Sequence, residues 1–199
     1  MKLRIKIAAV SALLKWSQRL LLSGAIVALA YCGFVMLDSW TFQRREFREF
    51  DRTVKARPPV VSGASLPPVV DALIGRIEVR RLGLSAMVVE GTTDSALRRA
   101  AGHILGTGMP GVPGNVGIAA HRDTFFRPLR NVRKDDVITL TTSGAEYRYR
   151  VVSTKVVHPD DVSVLDPSAE EVLTLVTCYP FFFVGSAPDR FIVRAERIV

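Results

Sequence analysis

Residues 20–37, LLLSGAIVALAYCGFVML, are an 18-residue run without a charge. As a helix rising about 1.5 Å per residue it is roughly 27 Å long, close to the ~30 Å hydrocarbon core of a bilayer. Lys2, Arg4, Lys6, Lys15 and Arg19 precede it with no acidic residue among them. The positive-inside rule therefore predicts a single-pass span in the cytoplasmic membrane, with the N-terminus in the cytoplasm and everything after residue 37 outside. Trp40 falls where an interfacial aromatic would sit. Two other readings compete. Ala28-Leu29-Ala30 resembles a signal-peptidase site, but cutting there would strand seven mostly apolar residues on the mature N-terminus. Cys32 would suit lipidation only if a small residue preceded it, and Tyr31 is bulky. The expectation is a retained anchor, with Cys32 an ordinary apolar helix residue.

The formal net charge of +8 raises the question of nucleic acid, and its distribution answers it. Residues 1–57 hold 11 Lys/Arg against 4 Asp/Glu, whereas residues 58–199 hold 16 against 15. The excess belongs to the N-terminal appendage. The rest shows no basic stripe, so nucleic acid is not expected as a partner. The two cysteines, Cys32 and Cys178, lie in segments of different character and make no disulfide framework.

Residues 41–57 are charged, with Phe42, Phe47 and Phe50 interspersed, and read as a solvated spacer in preference to a docking helix. PPVVSGASLPP at 58–68 restricts φ and favours extended backbone, so it reads as a semi-rigid linker holding the next domain off the bilayer. The expected organisation is a basic cytoplasmic segment at 1–19, an anchor at 20–37, a stalk and linker at 38–71, and a folded domain at 72–199.

In that domain short β-type runs recur at 76–82, 84–91, 115–121, 136–142, 146–157, 172–177 and 190–199. Ser143-Gly144 marks a hairpin between two of them. Helical pieces are expected at 93–102 and from Asp166-Pro167, with Asp as cap and Pro at the first helical position. Many short strands divided by turn signals predict an all-β barrel or sandwich.

Three residues could carry chemistry. Cys178 ends an apolar run and precedes Tyr179-Pro180, and proline stops strand pairing, so the thiol lies at a strand end. Position alone fits either a nucleophile or a buried structural cysteine. A thiol nucleophile needs a proton acceptor, and His121, at the end of NVGIAAH, is a candidate beside His103 and His158. Arginine presents a rigid charged fork suited to an oxyanion. Arg190 and Arg194 share one face of the last strand, so spacing does not choose between them.

These segments resemble the sortases. TLVTC at 174–178 is similar to their TLxTC signature. GNVGIAAHRDTFFRPL at 114–129 resembles the segment around their catalytic histidine, and DRFIVRA at 189–195 the strand opening with their catalytic arginine. HRDTFF, and the lack of a C-terminal membrane segment, resemble class D. The resemblance implies a closed eight-stranded β-barrel with short helices, preceded by the transmembrane helix. It implies Cys178 as nucleophile, His121 as acid/base and Arg190 as oxyanion stabiliser, leaving Arg194 to a carboxylate or solvent. It implies a cysteine transpeptidase that cleaves an LPxTG-like sorting signal through a thioester and passes the acyl group to an amine on the cell envelope or on a pilin-like subunit. A membrane-bound cysteine peptidase, handing the acyl group to water, is the alternative. A catalytically inactive envelope-display barrel is a more distant one. No cofactor and no metal are expected: the acidic pairs Asp160-Asp161 and Glu170-Glu171 form no calcium loop, and GTGMPGVPG lacks the lysine of a P-loop.

Overall fold

The computed structural model describes residues 2–56, 71–183 and 185–198, so the expected Pro-rich linker at 58–68 lies outside the described residues. Helix α1 runs Lys2–Ala56, and the chain divides after Thr41 into two compact units. In the first unit the apolar stretch is unburied: Leu21, Leu29 and Met36 are 75%, 72% and 75% exposed. The helix is long and apolar enough to cross a membrane.

The second unit is a closed barrel. Its strands are β1 (Leu73–Val79), β2 (Leu84–Glu90), β3 (Ala101–His103), β4 (Gly114–Ala119), β5 (Val137–Thr142), β6 (Glu146–Val157), β7 (Glu171–Tyr179) and β8 (Asp189–Ile198). They close in the order β1-β2-β3-β4-β7-β8-β6-β5. Most neighbours are antiparallel, but β2 pairs with β3 and β4 with β7 in parallel. Parallel pairing requires a crossover. Helix α2 (Asp94–Arg99) supplies the first, its N-terminus capped by Thr93 Oγ1, which accepts from the Ala96 amide at 3.2 Å.

Side chains alternate across each strand. Ile77 and Val79, Leu173 and Leu175, and Val193 and Ala195 are all fully buried in the barrel interior. The intervening residues of β7 and β8 therefore face outward, and this alternation decides where the chemistry lies. Closure also shelters polar groups. Tyr149 is fully buried and its hydroxyl donates to Glu171. Burial first, and then that carboxylate, push the Tyr149 hydroxyl far above its usual range.

Three local expectations change. The segment after Thr41 is not a solvated spacer. Phe50 is 4% exposed, and Phe42 packs against Val89, Ala96 and Ala100. Gln43 accepts from the Met87 amide at 3.0 Å and donates to Arg99 O at 2.7 Å. Asp51 pairs with Arg76 at 3.0 Å. The interspersed aromatics are thus the apolar face of a docked helix. The helical piece expected at 93–102 stops at Arg99, and Ala101–His103 forms strand β3, because pairing with β2 and β4 overrides the weak local preference of Ala-Gly. Asp166-Pro167 opens no helix; a 3-10 turn at Val162–Leu165 ends just before it.

Asp136 holds the segment that leads away from His121. Its carboxylate accepts from Arg81 Nε, from Arg81 Nη2 at 2.6 Å and from the Arg133 amide at 2.8 Å. The Arg81 hydrogen bond, opposed by burial, keeps the carboxyl below its ordinary range. A depressed folded-state value means stabilisation present above the unfolded value of about 3.9 and lost as pH falls through the lower folded one. Asp136→Asn should lower the thermal midpoint at neutral pH by a few degrees, and the gap to the parent should close as pH falls below about 4. Melting followed by circular dichroism across that range checks it; a gap independent of pH contradicts the role given to this carboxylate.

Candidate active site

Strand β7 is the centre of the site because it is paired on both sides. On one side it runs parallel to β4, with Gly117 opposite Thr174 and Ala119 opposite Val176. The ladder continues past the end of β4, where the Ala120 amide donates to Val176 O at 3.2 Å. His121 comes one residue later, two positions past the end of β4. On the other side β7 is antiparallel to β8, and Cys178 pairs directly with Arg190. Paired residues in a ladder project to the same face. Cys178 and Arg190 therefore share one row on the outward face, and His121 follows the end of the strand on the other flank of β7. His121 is exposed, and Cys178 and Arg190 are half-buried.

Both threonines of TLVTC tie β7 to β4. Thr174 Oγ1 donates to Asn115 Oδ1 at 2.7 Å, and Thr177 Oγ1 donates to Ala120 O at 2.7 Å. The second bond fastens the residue before the thiol to the residue before the histidine. Asn115, 2% exposed, donates through Nδ2 to Val164 O at 3.0 Å and Asp166 O at 3.1 Å. It pins the connection between β6 and β7 over the outward face. Gly117 is small for the same reason: a Cβ there would lie 3.0 Å from Thr107 Cγ2 and 3.1 Å from Leu165 Cδ2.

The connection between β7 and β8 is held by two arginines. Arg122, 6% exposed, donates from Nη1 to Pro180 O at 2.9 Å and from Nη2 to Phe183 O at 2.6 Å and Gly185 O at 3.1 Å. Its guanidinium also lies over the Phe183 ring, 5.9 Å from the centroid. Arg190 donates from Nη1 to Ala187 O at 3.3 Å and Asp189 O at 3.0 Å. Its Nε and Nη2 make no hydrogen bond among the described residues. One end of this fork is anchored and the other has donors to offer.

The remaining histidines separate clearly. His158 is on the surface, its ring near Asp160 at 3.2 Å. His103, one of the three candidate histidines, is 2% exposed. Its Nδ1 lies 3.0 and 3.1 Å from the Glu90 carboxylate oxygens, and its Nε2 lies 2.9 Å from Gly108 O. This buried node fixes the entry to the segment that becomes β4. Arg194 lies on the outward face four residues beyond Arg190, opposite Thr174, with no carboxylate partner among the described residues. Sequence reasoning passed over Asn115, Arg122 and Glu90. Arg122 had a signal in adjoining the candidate histidine; Asn115 and Glu90 had none, because their partners are 49 and 13 positions away in sequence.

A sortase-domain profile matches residues 77–198. The chain is 32% identical over 190 residues to sortase D of Bacillus subtilis, covering 89% of this chain and 96% of that protein. The sortase D5 transpeptidase of Clostridium perfringens superposes with a TM-score of 0.62 at 26% identity, over 81% of this chain and 99% of that one. Clostridium perfringens sortase C, solved with the C-terminal cell wall sorting motif, superposes with a TM-score of 0.63 at 23% identity over 78% and 90% of the two chains, a likeness of fold. The chain belongs to the sortase family, resembling its class D members, and is a cysteine transpeptidase.

The Arg122 clasp generates a test of its own. Hydrogen bonds from a charged donor contribute about 1.5–3 kcal/mol each, so removing three should free the loop that follows the thiol. Arg122→Ala should raise amide exchange across residues 181–187 at least tenfold while β4, β7 and β8 stay protected. Hydrogen exchange read by mass spectrometry checks this, and unchanged exchange across the loop contradicts the clasp.

Proposed function

We propose that Cys178, His121 and Arg190 are the catalytic residues and that the substrate is a secreted protein bearing an LPxTG-like sorting signal. Cys178 gives its thiol proton to His121, its sulfur attacks the carbonyl carbon of the threonine-like residue, and a C–S bond forms as the carbonyl π electrons move to oxygen. The oxyanion of the tetrahedral intermediate takes hydrogen bonds from the free end of the Arg190 fork. The C–N bond then breaks, and His121 delivers a proton to the departing amine, leaving a thioester. An incoming amine gives up a proton to His121 and attacks the thioester; the C–S bond breaks, the new amide forms, and that proton passes to sulfur to restore the thiol. The observation that carries this reading is the direct pairing of Cys178 with Arg190 in β7 and β8, with His121 two residues past the end of β4 on the other flank of β7.

The apolar stretch of α1 and its basic flank support anchorage in the cytoplasmic membrane, N-terminus inside and barrel outside. There the barrel would meet exported substrates and an envelope amine. The domain limits follow: a basic segment at 1–19, a span at 20–37, a connecting region at 38–71 and the catalytic barrel at 72–199. Within that connecting region, residues 42–51 belong to the docked helix described above.

The full-length protein in a non-ionic detergent, given an LPxTG-like peptide and hydroxylamine as amine, should release the C-terminal fragment and form the acyl hydroxamate. Cys178→Ala should abolish both while circular dichroism shows a folded barrel. Arg190→Ala should lose a factor on the order of 10² or more in turnover. Arg190→Lys should recover little, because a point ammonium cannot copy the planar fork. A folded, active Cys178→Ala removes the assignment, and cleavage without hydroxamate makes the enzyme a peptidase on this substrate.

A further inference from the structure

The outward face that carries Cys178 continues into a cavity with a cationic wall. Along β7 the outward positions run Cys178, Val176 and Thr174, and opposite them on β8 run Arg190, Ile192 and Arg194. On β6, Lys155 pairs with Ile192 and Ser153 with Arg194. The turn Val162–Leu165, held down by Asn115, forms the lip. Lys155, Ser163, Val164, Thr174, Ile192 and Arg194 line a cavity of about 230 Å³. Lys155 is only loosely engaged, with Asp161 at 3.5 Å. Arg194 is half-buried and makes no hydrogen bond or ion pair among the described residues. A half-buried guanidinium without a partner at the edge of a cavity is suited to an anionic group brought by a ligand.

We infer that this cavity binds an acidic side chain of the sorting signal's protein, four residues upstream of the residue attacked by Cys178. In an LPxTG-like signal that is the residue just before the pentapeptide. The inference rests on the transpeptidase reading given above. Two considerations set the position. From the Cys178–Arg190 row to the Thr174–Arg194 row is four residues along β7, about 13 Å at roughly 3.3 Å per residue. An extended peptide lying along β7 covers that distance in four residues. The direction follows from the reaction. The acyl half must stay in place for the lifetime of the thioester, so it needs the walled face. The departing amine and its replacement must exchange with solvent, and the open strand ends beyond Cys178 serve them. An acidic side chain seated by Arg194 would fix the register of the peptide and so set which carbonyl meets the thiol.

The test uses the full-length protein in non-ionic detergent with hydroxylamine and peptides X-Leu-Pro-Ala-Thr-Gly, where X is Glu, Ala or Lys. At low salt kcat/KM should fall in the order Glu, Ala, Lys, with about tenfold between the extremes, and the spread should shrink as salt is raised to about 0.5 M. In Arg194→Glu, shown by circular dichroism to be folded, the order should invert so that Lys exceeds Glu. A second peptide set carries the same charges four residues downstream of the threonine and should show no preference. Hydroxamate formed equally from all three X peptides overturns the subsite and leaves the transpeptidase reading standing. So does an order that Arg194→Glu leaves unchanged, or a charge preference found only on the downstream side. No hydroxamate from any peptide overturns the sorting-signal reading, and the subsite with it.

Discussion

The backbone ladders on the two sides of β7 are what the rest of the site depends on. A strand paired to only one neighbour could fix the thiol against one partner. Pairing antiparallel with β8 places Cys178 opposite Arg190, and pairing in parallel with β4 sets it beside the strand end that leads to His121. Because ladder partners project to the same face, the strands themselves bring Cys178 and Arg190 together. The threonine hydroxyls lock the β4 side of this arrangement. Thr177 ties the chain just before the thiol to the chain just before the histidine, and Thr174 does the same four positions from the thiol through Asn115. Buried hydroxyls with satisfied partners are worth more as register pins than as stabilisers, since a slip by one residue would leave each of them unpaired.

Outside the ladders, the walls of the site are loops held by backbone carbonyls. Arg122 gathers three carbonyls of the β7–β8 connection, and Asn115 gathers two from the β6–β7 connection. The residues that hold these loops are neighbours in sequence of residues on the rigid strands. The geometry of the walls is thereby referred back to β4. Strands carry the proposed catalytic residues Cys178 and Arg190, and the loops around them are clasped from β4 and its extension, with Phe182 at the outer end of one loop 77% exposed. That arrangement suits an enzyme that must hold an acyl chain still while one amine leaves and another arrives.

Much of this was legible in the residues. The alternation in TLVTCY and DRFIVRA identifies strands, and the break after Cys178 places the thiol at an end. The resemblance of three segments to the sortases names a family that the relatives bear out. What stayed hidden was long-range. Phe42, Phe47 and Phe50 among charges looked like a spacer, because a helix that docks with only part of one face leaves its charged side as visible as a solvated one. The place of His103 was open, because nothing near it in sequence reveals that Glu90 and Gly108 will enclose it. The sequence leaves Arg194 to a carboxylate or solvent, and the barrel supplies no carboxylate for it among the described residues. The short strand β3 was absorbed into a helical pattern since Ala-Gly carries almost no preference of its own.

The central claim is that the thiol of Cys178 carries the acyl chain between two amines. The most direct measurement is mass spectrometry of the full-length protein quenched in acid seconds after mixing with an LPxTG-like peptide and no added amine. The account predicts a mass increase equal to the acyl fragment, confined to the proteolytic peptide that contains Cys178 and discharged by hydroxylamine as expected for a thioester. Product formation with no adduct on Cys178, or an adduct on another residue, would contradict it.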